Sequence, residues 1–316
     1  MTALLVIIYV SFISLGLPDS ILGSAWPQMQ PDLHAGVALA GYISMTITAG
    51  TVVSSILSDR LVRRFGVGRV TAVSVLMTAA ALLGFALSPG VPWLFAFAVP
   101  LGLGAGSVDV ALNNFVALRY EARHMSWLHC FWGIGASTGP MIAAAALRAG
   151  GSWRTGYGLI ATLQGALCIA LFCALPLWRR AGDGTQVSAA AAQTEPPARL
   201  PRTRGTLPLM LGFLFYCAME NTGGLWGATF IHDRYALAPS DAALTSTLYF
   251  SALTLGRIAA GFAASRWQDR RLIRIGLCIS AAGLLLVLSA GQAELAMGGI
   301  FLMGFGFAPI YPAMLH

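Results

Sequence analysis

The sequence predicts an all-α membrane protein, and three observations carry that prediction. Of its 316 residues, 57% are hydrophobic and only 10% charged, against about 25% charged in an ordinary soluble domain. Apolar runs of roughly 20 residues, each long enough to cross a ~30 Å hydrocarbon slab as a helix, recur along the whole chain. All nineteen Lys-plus-Arg positions are Arg, and they cluster in short gaps between those runs. A transmembrane barrel is excluded because its strands alternate apolar and polar residues over about ten positions, whereas the stretch 4–12 shows no such alternation. The bilayer is therefore the solvent, and the net charge of +7 reads as membrane topology rather than as a nucleic-acid surface.

Ten spans are predicted, at 3–24, 36–58, 70–88, 91–117, 126–147, 156–178, 207–231, 242–264, 272–290 and 294–315. The first has no basic residue before it and no cleavage site after it, so it is read as a retained helix. Fifteen arginines, among them Arg60, Arg63, Arg64, Arg69, Arg119 and Arg123, lie in or at the border of the even-numbered gaps and a central polar segment, whereas Arg148, Arg154 and Arg234 lie in odd-numbered gaps. The positive-inside rule then makes the even gaps and the N-terminus cytoplasmic, in a cell (inner) membrane. Arg257 alone falls deep within a span.

The segment 179–206 contains Asp-Gly, an Ala run, Glu-Pro-Pro and several arginines, the composition of a flexible linker. It separates an N-terminal bundle of six helices (1–178) from a C-terminal bundle of four (207–316). The halves echo each other: Asp19 and Gly23 in the first span match Glu220 and Gly224 in the seventh, and the glycines at 102–106 in the fourth match Gly304 and Gly306 in the tenth. A repeated six-helix unit is expected, with its second copy two helices short; the sequence is then a fragment or, as the alternative, a natural truncation, and the fragment is favoured.

The loop Ser58-Asp59-Arg60-Leu61-Val62-Arg63-Arg64-Phe65-Gly66, with a weaker copy in Gly261, Arg266, Asp269, Arg270 and Arg271, resembles the signature loop of the major facilitator superfamily. The resemblance implies a fold of usually twelve helices, of which 6 + 4 are present here and the last two missing. It also implies a gating role for Asp59, Arg60, Arg63 and Arg64, and for Asp269 and Arg270 in the copy, through charge pairs that hold the two halves in one access state. Three stretches, Gly102 to Phe115 with Asp109, Asn113 and Asn114, His129 to Ala136 with Trp132, and Tyr216 to Gly224 with Glu220, resemble the fucose:proton symporter group and related bacterial sugar-transporter-like members. That resemblance implies secondary active transport of a small polar solute, a sugar or sugar-like molecule, coupled to protons by alternating access. Gly135, Gly139 and Pro140 also resemble a fifth-helix motif of proton-coupled drug antiporters, which keeps efflux of amphipathic compounds as the rival, beside a non-transporting sensor.

Residues able to carry such chemistry are polar groups inside spans. Asp109 lies about eight residues, or roughly 12 Å at 1.5 Å per residue, from its span's end, near the midplane, where a charge is costly unless it faces protein or water. Asn113 stands one turn further on, on the same face. All three asparagines, Asn113, Asn114 and Asn221, sit beside intramembrane acids. Glu220 lies mid-span with Tyr216 one turn before it. A carboxyl group in low dielectric is pushed toward its neutral form, the physical basis of coupling to a proton gradient. Asp109, Glu220 and Asp19 are thus the proton-coupling candidates, although polar glue between helices also accounts for Asp109 and an interfacial cap for Asp19. Asn113, Asn221, His129, Trp132, Tyr216 and Tyr311 are the substrate-contact candidates; aromatic rings stack on sugars but also gather at bilayer interfaces.

Other chemistries are set aside. Gly135-Ala-Ser137-Thr-Gly139 fits a hydrolase pattern that requires a strand, a strained turn and a helix, yet it lies inside an apolar helix and reads as small-residue packing. The run 102–106 has no strand around it and is no nucleotide loop. The five cysteines show neither metal-ligand nor redox spacing. No enzyme activity, cofactor, metal or nucleic acid is expected; the partners are solute, protons and lipid, and the protein is expected to be a monomer.

Overall fold

A computed structural model describes residues 2–180, 206–264 and 266–315. Among these there is no strand. Six long helices come first: α1 (Thr2–Asp32), α2 (Leu39–Phe65), α3 (Val67–Leu87), α4 (Val91–Arg119), α5 (Ala122–Arg148) and α6 (Trp153–Cys173), with a short α7 (Leu175–Arg180) behind them. Then follow α8 (Thr206–Tyr235), α9 (Pro239–Ala264), α10 (Asp269–Ser289), α11 (Ala293–Phe307) and α12 (Ile310–Leu315). Most of the linker expected at 179–206 lies outside the described residues. Eight helical segments are long and apolar enough to cross a membrane. The two long helices that miss that mark, α8 and α9, are the ones that carry Glu220 with Asn221 and Arg257 at mid-helix.

Prolines account for two of the places where the predicted spans and the helices differ. The sixth span divides at Ala174 because Pro176 opens a new helix, and the tenth divides after Phe307 because Pro309 has no N–H to continue the ladder. The first helix instead runs through Pro18, Pro27 and Pro31 to Asp32, eight residues beyond the predicted end. Pro18 leaves the carbonyl of Ser14 without its helical donor. Gln164 of α6, itself buried, supplies one, its Nε2 donating to Ser14 O at 2.7 Å while its Oε1 accepts from Thr78 of α3 at 3.1 Å. Such repair from a neighbouring helix is what makes a proline tolerable in a membrane span. Gln164→Leu should orphan the Ser14 carbonyl, while the Thr78 hydroxyl keeps the Val75 carbonyl at 2.9 Å, and lower stability by about 1–3 kcal/mol, read as a fall in the thermal unfolding midpoint in detergent.

Lipid is as apolar as Leu, so close backbone approach, not hydrophobic expulsion, joins the helices. Gly16, Gly135 and Gly139 bring α1 and α5 together: a Cβ on Gly135 would overlap the carbonyl of Ile13, and one on Gly139 the carbonyl of Leu17. In the 102–106 run, Gly102 and Gly106 face the α2 backbone at Ile47 and Thr51, while a Cβ on Gly104 would stand 2.7 Å from Ser74 O of α3. Both motifs that mimic soluble-enzyme signatures are packing surfaces.

The first six helices and those from α8 onward meet along α1–α8, α1–α9 and α5–α9. Toward the C-terminal end of α1 the approach is tight: a Cβ on Gly23 would lie 2.5 Å from Gly224 O. At that same end Arg148 of α5 pairs with Asp241 of α9 at 2.7 Å, and Arg154 of α6 pairs with Asp32 of α1 at 2.5 Å. At the opposite end Asp59 pairs with Arg63 of its own helix at 2.6 Å, both side chains about half exposed.

Candidate functional site: a cavity between the two sets of helices

A cavity of about 260 Å³ lies where α1, α2, α4 and α5 face α8 and α9. Asp19, Trp132, Glu220 and Asn221 line it, together with Ser44, Thr48 and Thr51 of α2 and the apolar Leu22, Leu101 and Phe250. Pro18 places Asp19 in the wall beside the repaired turn of α1, where the carboxyl group accepts a hydrogen bond from Trp132 Nε1 at 2.8 Å. The hydroxyl stripe follows from helical spacing, since residues 44, 48 and 51 fall on one face.

Trp132 is the hinge of a longer network. Its ring lies edge-on to Phe250 at 6.4 Å, and the guanidinium of Arg257 stands over it at 5.1 Å. Arg257 Nη2 donates to Glu220 Oε1 at 3.3 Å, with both side chains 17% exposed. Tyr216 donates its hydroxyl to the other oxygen of Glu220, and Tyr249 donates to the Glu220 backbone carbonyl at 2.8 Å. One chain of polar contacts therefore runs from α1 through α5 to α9 and α8.

The predicted residues divide in this frame. Asp19, Trp132, Glu220 and Asn221 share the cavity, and Tyr216 backs it through Glu220. Asn221 donates from its side chain to Cys217 O at 2.8 Å. Asp109 and Asn113 bond each other at 2.9 Å outside the cavity lining, and Asn113 Oδ1 is buried without a partner. His129 sits edge-on to Phe12 at 6.4 Å. Tyr311 packs against Phe213 and Tyr216. Asp59, Arg60, Arg63 and Arg64 are exposed at the far end of α2, and Asp269 and Arg270 open α10. Sequence reading gave no role to Arg257, whose signal was its solitude within a span, nor to the α2 hydroxyls. Among the described residues no group of three His, Cys, Asp or Glu side chains is placed to hold a metal.

The profile of the Major Facilitator Superfamily matches residues 8–315. The chain belongs to the major facilitator superfamily. It is 27% identical over 304 residues to an uncharacterised transporter, y4wD, of Sinorhizobium fredii, a match covering 93% of this chain and 78% of that one. In three dimensions this superfamily member is similar to a D-xylose-proton symporter, with TM-score 0.75 at 12% identity over 99% of this chain and 81% of the other. It is also similar to the xylose transporter XylE of E. coli in a partially occluded inward-open conformation, with TM-score 0.76 at 11% identity over 98% and 82%. At those identities the likeness is one of fold.

Proposed function

We propose that this superfamily member is a proton-coupled carrier of a small polar solute, a sugar or sugar-like molecule, working by alternating access in the inner membrane with its N-terminus cytoplasmic. The observation that carries the proposal is the cavity between the two sets of helices, into which one acid from each side, Asp19 and Glu220, projects beside an indole, an amide and a hydroxyl stripe. Its volume, about 260 Å³, lies below the roughly 300–1,000 Å³ of drug-sized sites, which favours a small solute over an amphipathic drug. The glycines of the antiporter-like stretch in α5 are occupied in packing on α1, so that stretch has an ordinary structural purpose.

On this reading Asp19 and Glu220 exchange the proton, Trp132 and Asn221 contact the solute, and Tyr216 orients Glu220. Asp109 with Asn113, His129 and Tyr311 stand behind this first layer. The Arg148–Asp241 end, closed by Gly23 on Gly224, faces outward, and the exposed Asp59 and Arg63 face the cytoplasm, where with Arg60, Arg64, Asp269 and Arg270 they gate the opposite access state.

The test is counterflow in proteoliposomes of the purified protein. Preloaded unlabelled solute should draw in labelled solute, and a solute pulse should alkalinise the weakly buffered outside medium as protons enter. Solute exchange with no proton movement would remove coupling. Absence of exchange across a panel of monosaccharides and their acids would remove the carrier reading.

A further inference from the structure

Arg257 has more donors than partners. A guanidinium offers five N–H groups in a rigid planar fork, yet among the described residues this one spends a single hydrogen bond, from Nη2, on Glu220 at 3.3 Å, and lays its face over Trp132. Glu220 is the better satisfied partner, with Arg257 on one oxygen and Tyr216 on the other. Both contacts of Arg257, Glu220 and Trp132, line the cavity. A 3.3 Å single bond is the loose form of a pairing whose strong form is bidentate and shorter than about 2.9 Å.

The surrounding groups narrow what such a cation is for. Around the pair are Asp19 from α1, which shares the cavity and bonds Trp132, Tyr216 from α8 and Tyr249 from α9, which bond Glu220, and His129 and Cys130 from α5 with Tyr311 from α12, which lie within electrostatic reach of Arg257. Only His129 among them can become a second cation. Neutral sugars are held by amides, hydroxyls and rings, all of which the wall already provides. A solute cation would be repelled by Arg257. A carboxylate matches the fork that Glu220 fills only in part.

We infer that Arg257 is the anchor for an anionic group on the solute, so that the cargo is a small carboxylate-bearing, sugar-like acid whose carboxylate displaces Glu220 from the guanidinium. This rests on the carrier reading and names its substrate class. Glu220, once displaced, would be a buried charge without its counter-ion, a costly state; it takes up a proton instead, keeping the Tyr216 contact. No covalent bond changes except that O–H. One anion and one proton thus enter together, and the cavity's net charge is the same before and after.

The experiment measures binding to the purified protein by thermal shift and tryptophan fluorescence, using matched pairs: D-glucuronate with D-glucose, D-xylonate with D-xylose, and lactate with propane-1,2-diol. At least one acid should bind at least tenfold more tightly than its neutral partner. Glu220→Gln, which frees the guanidinium, should tighten that acid about tenfold, and Arg257→Gln should weaken it a hundredfold or more. Neutral partners binding as well as the acids, or no acid binding to either wild type or Glu220→Gln, overturns the inference. Should a neutral sugar then still drive counterflow with proton uptake, the carrier reading survives alone. Acid binding lost in Arg257→Gln but without counterflow would keep the anion site and remove transport.

Discussion

Asp19→Asn or Glu220→Gln should abolish accumulation of solute against its gradient while exchange between equal concentrations continues. A one-unit pH gradient is worth about 1.36 kcal/mol per proton, so one coupled proton across two units supports an accumulation of about a hundredfold; in either variant the ratio should fall to about one. The substituted amides retain the shape and much of the hydrogen bonding of the acids, but they cannot load and unload a proton. Labelled solute uptake in proteoliposomes with an imposed pH gradient, beside counterflow with none, separates the two properties. Asp109→Asn is the informative companion. Its carboxyl is held by Asn113 outside the cavity, so accumulation should survive. Full accumulation by both Asp19→Asn and Glu220→Gln would mean that the cavity acids are not the coupling site.

Gly135→Val should prevent the protein from forming its bundle at all. The added Cβ would occupy the same space as the carbonyl oxygen of Ile13, and the wall it meets is helix backbone, which has no rotamer to yield. Overpacking a core costs typically 1–3 kcal/mol where side chains can adjust, and separating α1 from α5 would also remove the hydrogen bond between Trp132 and Asp19. The expected readout is loss of the monodisperse peak in size-exclusion chromatography, with little protein extracted from the membrane. Gly165→Ala is the control, because nothing lies within 4 Å of a Cβ at that position, and it should behave as wild type. A monodisperse, transport-competent Gly135→Val protein would refute the packing account.

Much of the architecture was legible because the bilayer enforces it. A chain that must satisfy every backbone polar group within lipid has few options, so apolar length and arginine placement were enough to find ten long helical segments. Their ends were less legible. Whether Pro18 interrupts a helix or is carried through depends on a donor 146 residues away, Gln164, while at Pro309 the helix breaks. The site was half legible for the same reason. An acid inside a span is conspicuous by its cost, which marked Asp19, Asp109 and Glu220 alike, but cost does not say which acids share one cavity.

By itself, the sequence determined the membrane class, the sequence of spans, the small-residue stretches on which helices touch and the short set of intramembrane polar side chains, because each follows from local composition and spacing. Only the tertiary structure decided that Asp19 and Trp132 meet and that Arg257 stands between Trp132 and Glu220. Those choices depend on how α1 and α5 cross α8 and α9, and helix crossings are set by backbone contacts between residues far apart in the chain.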